Sequence, residues 1–562
     1  MREAQEPGGA PGGESAHVDR FAAQNLPPQS AWPAIDFSRL PALAALNDRI
    51  NCATELLDLS AAEHPHARAV FNNDVSWSYG ELLARANRIA HVLVDDLGIQ
   101  PGNRVLLRAG NNPMYAACWF AVMKVGAIAV ATMPLLRARE LTYMTDFAEV
   151  RVGLCDEILR DELIQAKDAS AFLEQIVCFN SPDDDGLEAR MADKPDTFET
   201  IDTAADDICI IAFTSGTTGQ PKACLHFHRD IMAVCLTSSG QIIKPRANDV
   251  FAGTPPLAFT YGLGGLLLFP LAVGASVLLI ESYTPDSLIT AIKDHGITVL
   301  FTAPTMYRNL TPMVRDIPLP SLRICNSAGE FLPKPTWDGW HEVTGLEIHD
   351  GIGATEMLHT FVAGSGGNIR PGATGQTIPG FEAKVLDDLG QEAAVGTVGR
   401  LAVRGPTGCR YMANPERQAG YVLDGWNLTG DSYLRDEDGY FWYQARTDDM
   451  IISAGYNISG AEIEAVLLEH DAVADCAVVA SPDDLRGQIV KAFVVLRDGA
   501  VGDDTLAVAL QDHVKATIAP YKYPRAVAFI DELPRTATGK VQRFALRQIE
   551  NDPTGTAGPR LQ

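Results

Sequence analysis

Short apolar runs at 104–107, 150–154, 208–213, 277–280 and 299–302 alternate with helical stretches such as 79–97 and 285–295. That alternation predicts βαβ units, because parallel strands need a crossover connection and are buried on both faces. Near residue 396 the rhythm changes to short alternating strands at 399–404 and 439–444, then to a final block with its own helices and strands. A chain of 562 residues exceeds what one hydrophobic core serves. The expected division is a flexible Gly/Pro-rich leader over 1–35, a large N-terminal unit over 36–447 and a smaller mobile unit over 448–562. The polar tetrad 446–449 lies between a strand-like run and a turn-rich stretch, where a few residues can absorb a dihedral change. Residues 261–280 carry no charge over a length that spans a bilayer. Gly262, Gly264, Gly265, Pro270 and Gly274 nevertheless break them into an apolar helix, a turn and a buried strand over 275–280, so no membrane insertion is expected.

Lys and Arg total 45 against 71 Asp and Glu, a formal charge of -26. Such a surface repels a phosphate backbone, which excludes nucleic acid as a partner. An acidic protein that handles an anionic nucleotide must do so locally, with backbone N–H groups, a few lysines and a divalent metal. Phe213-Thr-Ser-Gly-Thr-Thr-Gly-Gln-Pro-Lys222 is such a place. Gly216 and Gly219 let the backbone turn its N–H groups inward, Thr214, Ser215, Thr217 and Thr218 add hydroxyl donors, and Lys222 adds a point charge. It is not a Walker loop, since Lys222 follows Gln220-Pro221 and Ala223 stands where a magnesium-binding hydroxyl belongs. The ten cysteines are scattered, with no C-x-x-C pair and no ligand-like grouping with His, and read as buried reduced thiols. The first residues lack the apolar run of a secretory signal, so a cytoplasmic protein is expected.

The loop resembles the signature of the adenylate-forming superfamily of acyl- and aryl-CoA synthetases, luciferases and amino-acid adenylation domains, and the similarity continues in order from about 60 to 549. The resemblance implies an α/β fold: a large N-terminal domain of two parallel-rich sheets plus a small β-barrel subdomain, and a mobile α+β C-terminal domain. It implies ATP, Mg2+ and coenzyme A. In Asp350-Gly-Ile-Gly-Ala-Thr-Glu356 it makes Glu356 the magnesium ligand and Thr355 a donor to the α-phosphate, with Asp350, Gly351 and Ile352 in the nucleotide site; hard oxygen ligands suit that metal. In Gly425-Trp-Asn-Leu-Thr-Gly-Asp431 it makes Asp431 the acceptor of both ribose hydroxyls, with Arg446 as a second ribose or phosphate contact. The family usually has Gly before that Arg, and here Ala445 stands there. Near the chain end, Lys540 in Pro534-Arg-Thr-Ala-Thr-Gly-Lys-Val-Gln-Arg543 matches the lysine that bridges the attacking carboxylate and ATP; with Lys222 and Glu356 it completes the catalytic set. Asp448 matches the hinge, and Gly455 the face lining the pantetheine tunnel.

The segment around Phe259, Thr260 and Tyr261 corresponds to the family's aromatic gate. Where amino-acid adenylation domains carry an Asp for the substrate ammonium, this chain has Thr260, so a free amino acid lacks its counter-charge. Together with Ser327-Ala-Gly-Glu330 and with His359, the segment most resembles benzoate- and 2-aminobenzoate-CoA ligases. A flat slot is expected among Phe259, Tyr261, Ala328, Gly329, Gly351, Gly353 and His359. The expected activity is formation of an aryl-AMP and then an aryl-CoA, with an aromatic acid, ATP and CoA as partners; a homodimer is left open. A medium-chain or other acyl-CoA ligase, a luciferase-like oxygenase and a nucleotide-binding regulator without turnover are the alternatives. Acid-dependent pyrophosphate release separates the last from the rest.

Overall fold

The computed structural model describes residues 13–214, 221–446, 449–453, 456–483, 487–518, 522–535 and 540–551. Ser215, Gly216, Thr217, Thr218, Gly219, Asp448 and Gly455 lie outside them. The architecture is α/β, with two large sheets sharing one core. The first sheet runs Gln175–Phe179, Val152–Asp156, Arg104–Arg108, Ile128–Thr132, Ile208–Thr214, Lys222–Phe227. Its first five strands are parallel and the last returns antiparallel. The second has nine strands, and Ile348–Gly353, Ile324–Ser327, Val299–Thr302, Val250–Gly253, Ser276–Leu278 and Arg68–Phe71 form its parallel run.

One apolar cluster takes side chains from both sheets, Val105 and Val277 among them. Helix Pro113–Lys124 is buried along its whole length within it. Local sequence explains that helix: Asn112 accepts the Tyr115 N–H at 2.9 Å, Pro113 sets the first helical φ, and apolar residues surround the axis. Its one charge, Lys124, is buried and offset by Asp58 at 2.6 Å. The stretch 79–97 forms helix Tyr79–His91, started by a Ser78/Glu81 capping box, then a wider π turn over Val92–Asp96. Residues 261–280 divide into short helical pieces and strand Ser276–Leu278, and among the described residues no helix is long and apolar enough to cross a membrane.

A five-stranded antiparallel sheet follows, from Glu382–Leu386 to Phe441–Arg446. Its last strand begins two residues later than the sequence pattern, because Asp436 accepts the N–H groups of Asp438 and Tyr440 and draws them into a turn closed by Gly439 at φ +82°. The C-terminal part has its own core of Ile463, Val478, Val494, Leu510 and Val514, built on the hairpin Val473–Asp483 and Gly487–Leu496 with Ala526–Phe529 beside it.

Two expectations need correction. Residues 13–35 do not form part of a flexible leader: Ser15 donates to Asp207, Asp19 pairs with Arg104, and Ala34 N–H bonds Gly425 at 2.8 Å. Gly/Pro-rich composition lowers local order, but these long-range charges and amides fix the segment. The ten cysteines are free and buried. Cys52 and Cys209, however, do meet His228, their ligand atoms all within 4.8 Å of one another. Sequence spacing sees only neighbours along the chain, whereas this trio comes from three separate elements.

Candidate active site

The parallel strands of the second sheet end together, with Thr302 opposite Ser327 and Ser327 opposite Asp350. The carboxyl ends of strands in such sheets are where ligands bind. Ala328 and Gly329, and then Gly351, Ile352 and Gly353, continue from those ends. Gly329 has φ +92° with open space around it, a conformation that any other residue adopts only with strain. The missing side chain of Gly353 has a different use: a Cβ there would meet the His359 backbone at 2.8 Å, so the glycine lets the antiparallel strand Thr360–Ala363 close in. Gly351 is likewise enclosed by Thr360 and Ala363. These two glycines make room for the hairpin.

The charged residues expected from the sequence converge. Thr214 and Lys222 pair directly at the base of the Ser/Thr/Gly loop. Lys222 Nζ lies 5.5 Å from the Tyr411 ring centroid, and the Tyr411 hydroxyl donates to Glu356 Oε1. Glu356 is buried, which raises its pKa; Cys224 adds to the rise, while the Tyr411 hydrogen bond and Lys222 oppose it. A cation bound at this carboxylate would offset that cost of burial, and a carboxylate with phosphate oxygens would be a hard donor set suited to Mg2+. Thr355 presents its carbonyl to His226 Nε2 at 2.8 Å, which fixes the turn before Glu356. His226 is held above its usual pKa, at about 9; burial works against its charge, but Cys224 and Asp230 outweigh it.

Asp431 and Arg446 face each other across neighbouring strands, 2.9 Å apart. Lys540 keeps an exposed surface, yet the protein around it lowers its pKa, desolvation first and Arg446 second. Asp431, Glu330 and Glu356 act in the opposite direction, so Lys540 of the C-terminal part stands in the field of the N-terminal carboxylates. Asp350 is buried with Oδ1 unpartnered among the described residues, and burial pushes its carboxyl well up.

On the other side of the strand ends, Phe259 precedes the short helix Thr260–Leu263 and is half-buried. The Tyr261 hydroxyl donates to Asn326 Oδ1 at 2.9 Å, and its ring packs on Phe301 at 5.5 Å and on His359 at 5.7 Å. His359 is buried, 4.6 Å from the Phe269 ring, and burial lowers its pKa to about 3, so it is neutral. Its Cδ2–Nε2 edge fits the hollow at Gly264, where a Cβ would come within 2.4 Å of Cδ2. His359 therefore stands behind Tyr261 with Nε2 unpartnered among the described residues.

Sequence reasoning missed Tyr411. It reaches Glu356 because Cys224 and Tyr411 form an isolated bridge between distant segments, and no local motif marks that pairing.

The model of the AMP-binding enzyme family matches residues 57–411, and that of the AMP-binding enzyme C-terminal domain matches 462–540. The benzoate–CoA ligase of Thauera aromatica is 35% identical over 519 residues, 91% of this chain and 98% of its own. The mitochondrial acyl-coenzyme A synthetase ACSM3 of Mus musculus is 33% identical, over 85% of each chain. The crystal structure of the anthranilate CoA ligase AuaEII in complex with anthranoyl-AMP superposes with a TM-score of 0.86 at 32% identity, covering 91% of this chain and 99% of that one.

Proposed function

Because this chain belongs to the AMP-binding enzyme family and is an AMP-forming acid–thiol ligase of the aryl-CoA ligase group that uses ATP, Mg2+ and coenzyme A, we propose that its acid is benzoate or 2-aminobenzoate. The observation that carries the choice is the Tyr261 wall: a ring fixed at its hydroxyl by Asn326 and backed by Phe301 and His359. A planar acid covers such a wall without losing rotamer freedom, whereas a flexible chain of similar area loses it. Phe259, Ala328 and Gly329 border the same space in this reading.

The first half-reaction joins two anions, the acid carboxylate and the α-phosphate. Lys222 and Lys540 supply positive charge as electron density moves toward pyrophosphate, and Glu356 would hold Mg2+, which would neutralise phosphate charge when bound. Thr214, Ser215, Gly216, Thr217, Thr218 and Gly219 cradle the phosphates, with Thr355 on the α-phosphate. Asp431 accepts the ribose hydroxyls and Arg446 orients it. Asp350, whose Oδ1 has no partner among the described residues, suits the adenine amino group in this reading, beside Gly351 and Ile352. In the second half-reaction the CoA thiol attacks the acyl carbon and AMP leaves; rotation at Asp448 withdraws Lys540, and Gly455 leaves room for the thiol arm.

The test is acid-dependent ATP–pyrophosphate exchange on benzoate, 2-aminobenzoate, 2-hydroxybenzoate, phenylacetate and octanoate, followed by identification of the CoA thioester. Benzoate or 2-aminobenzoate should give the highest specificity constant. A preference for octanoate over every ring acid overturns the substrate and supports an aliphatic acyl-CoA ligase.

A further inference from the structure

The loop that carries Lys540 is anchored at its base by a group of charges that spans the two parts of the chain. Arg535 and Val541 pair as an isolated bridge on either side of that loop, and Gln542 N–H bonds the Pro534 carbonyl at 2.8 Å. From this base Arg535 reaches in two directions. Its Nη2 lies 2.6 Å from Asp475 Oδ2 in the C-terminal part, and its Nη1 lies 3.5 Å from Glu330 Oε1 in the N-terminal part. Arg308 crosses the other way and puts its Nη2 3.0 Å from the same Asp475 oxygen. Glu330 is held in turn by Thr305, whose hydroxyl donates to Oε2 at 2.7 Å. Thr305 and Arg308 both belong to helix Pro304–Met313, so one rigid element of the N-terminal part presents both contacts. The Asp475 carboxylate is oriented by the Cys476 N–H at 2.9 Å.

Two guanidinium groups and two carboxylates balance in charge. Their side chains keep only 18% to 26% of their exposure, which places them between solvent-screened surface pairs and fully desolvated ones. Charge groups of that kind set an orientation as well as contributing attraction. We propose that Arg308, Glu330, Asp475 and Arg535 form an interdomain latch, positioning Lys540 for acyl-AMP formation and releasing when the C-terminal part turns for thioester formation. The proposal rests on the two-half-reaction reading above and adds the groups that decide how the enzyme divides its time between them. The latch contributes only to the arrangement in which it is closed, so weakening it shifts population toward the other arrangement. The two half-reactions must then move in opposite directions, which a merely structural role does not produce.

The decisive variants are Arg308→Asp and the milder Arg308→Gln. ATP–pyrophosphate exchange reports the first half-reaction; conversion of chemically prepared aryl-AMP and CoA into thioester reports the second on the same preparations. Arg308→Asp should lower the first by about tenfold and leave the second unchanged or faster. Arg308→Gln should do the same more weakly. Raising the salt concentration should lower the first half-reaction of the wild type and have less effect on Arg308→Gln, since salt screens the contact that this variant already lacks. Equal loss of both half-reactions, or no loss of the first in Arg308→Asp, overturns the latch. Wild-type pyrophosphate exchange with no acid at all would instead overturn the functional reading on which it rests.

Discussion

The two sides of the strand ends are built from opposite materials. The side proposed for the nucleotide gathers Lys222, Glu356, Asp431, Arg446 and Lys540, drawn from both parts of the chain and linked by charge. The side proposed for the acid is a packed wall of rings, Tyr261, Phe269, Phe301 and His359, with the Tyr261 hydroxyl hydrogen-bonded to Asn326 at its tip. The difference teaches how each side can fail. Removing a charge from the first leaves a developing charge unanswered, which is expensive in a desolvated site. Removing a ring from the second leaves space that neighbours partly refill.

The largest effect should come from the charged side. Lys540→Ala should lower acyl-AMP formation by about a hundredfold or more, near 3 kcal/mol, while supplied aryl-AMP and CoA still yield thioester at a nearly normal rate. Pre-steady-state assays of the two half-reactions check this, and equal loss in both would break the assignment. The same lysine sets a pH limit. Its pKa lies below that of an ordinary lysine because desolvation and Arg446 disfavour its charge. Acyl-AMP formation should therefore fall, as pH rises, earlier than an unperturbed lysine dictates, and the Lys540→Ala variant should lack that alkaline limb.

A smaller effect should follow at Tyr411. Tyr411→Phe removes the donor to Glu356 Oε1 and leaves the carboxylate buried. That hydrogen bond favours the ionised form, so its loss moves the Glu356 pKa further up, and activity should fade at a higher pH as the solution is acidified. We expect about a tenfold loss of pyrophosphate exchange at neutral pH, in line with a hydrogen bond to a charged group, and a higher Mg2+ concentration for half-maximal rate. A magnesium titration of the variant checks it. Unchanged magnesium demand would detach Tyr411 from the metal site.

The same contrast explains what the sequence could reveal. Lys222, Glu356, Asp431 and Lys540 each sit in a short Gly-rich segment, where the need for backbone approach writes itself into neighbouring residues. The parallel strands were legible for a similar reason, as runs of apolar residues between helices. Tyr411, Arg308 and Glu330 gain their places only through tertiary pairing: a bridge to Cys224, a shared helix, and an arginine from the far end of the chain. The docking of residues 13–35 and the meeting of Cys52, Cys209 and His228 were hidden in the same way. Gly351 and Gly353 are the converse case, since the sequence shows that a side chain is excluded but not what excludes it; here it is the adjoining strand.

The smallest effect, and the one that most sharpens the comparison, concerns His359. Its Nε2 edge lies in the hollow of Gly264 and its ring backs Tyr261, so it shapes the wall from behind. His359→Ala should loosen Tyr261 and lower kcat/KM for benzoate and 2-aminobenzoate together, by tenfold or less, because a cavity behind a contact costs less than the contact itself. The ratio between the two acids should stay within about twofold, since a buried donor or acceptor lost against a ring substituent is worth more than that. At a pKa of about 3 the imidazole carries no charge to lose near neutrality, so the effect should not depend on pH between 6 and 8. Octanoate should lose least, having little use for a flat wall. The measurement is the specificity constant of each acid in wild type and variant. A loss confined to 2-aminobenzoate would show that His359 turns Nε2 toward the amino group once the acid is bound, and would move a polar contact into the side of the site that the packing reserves for rings.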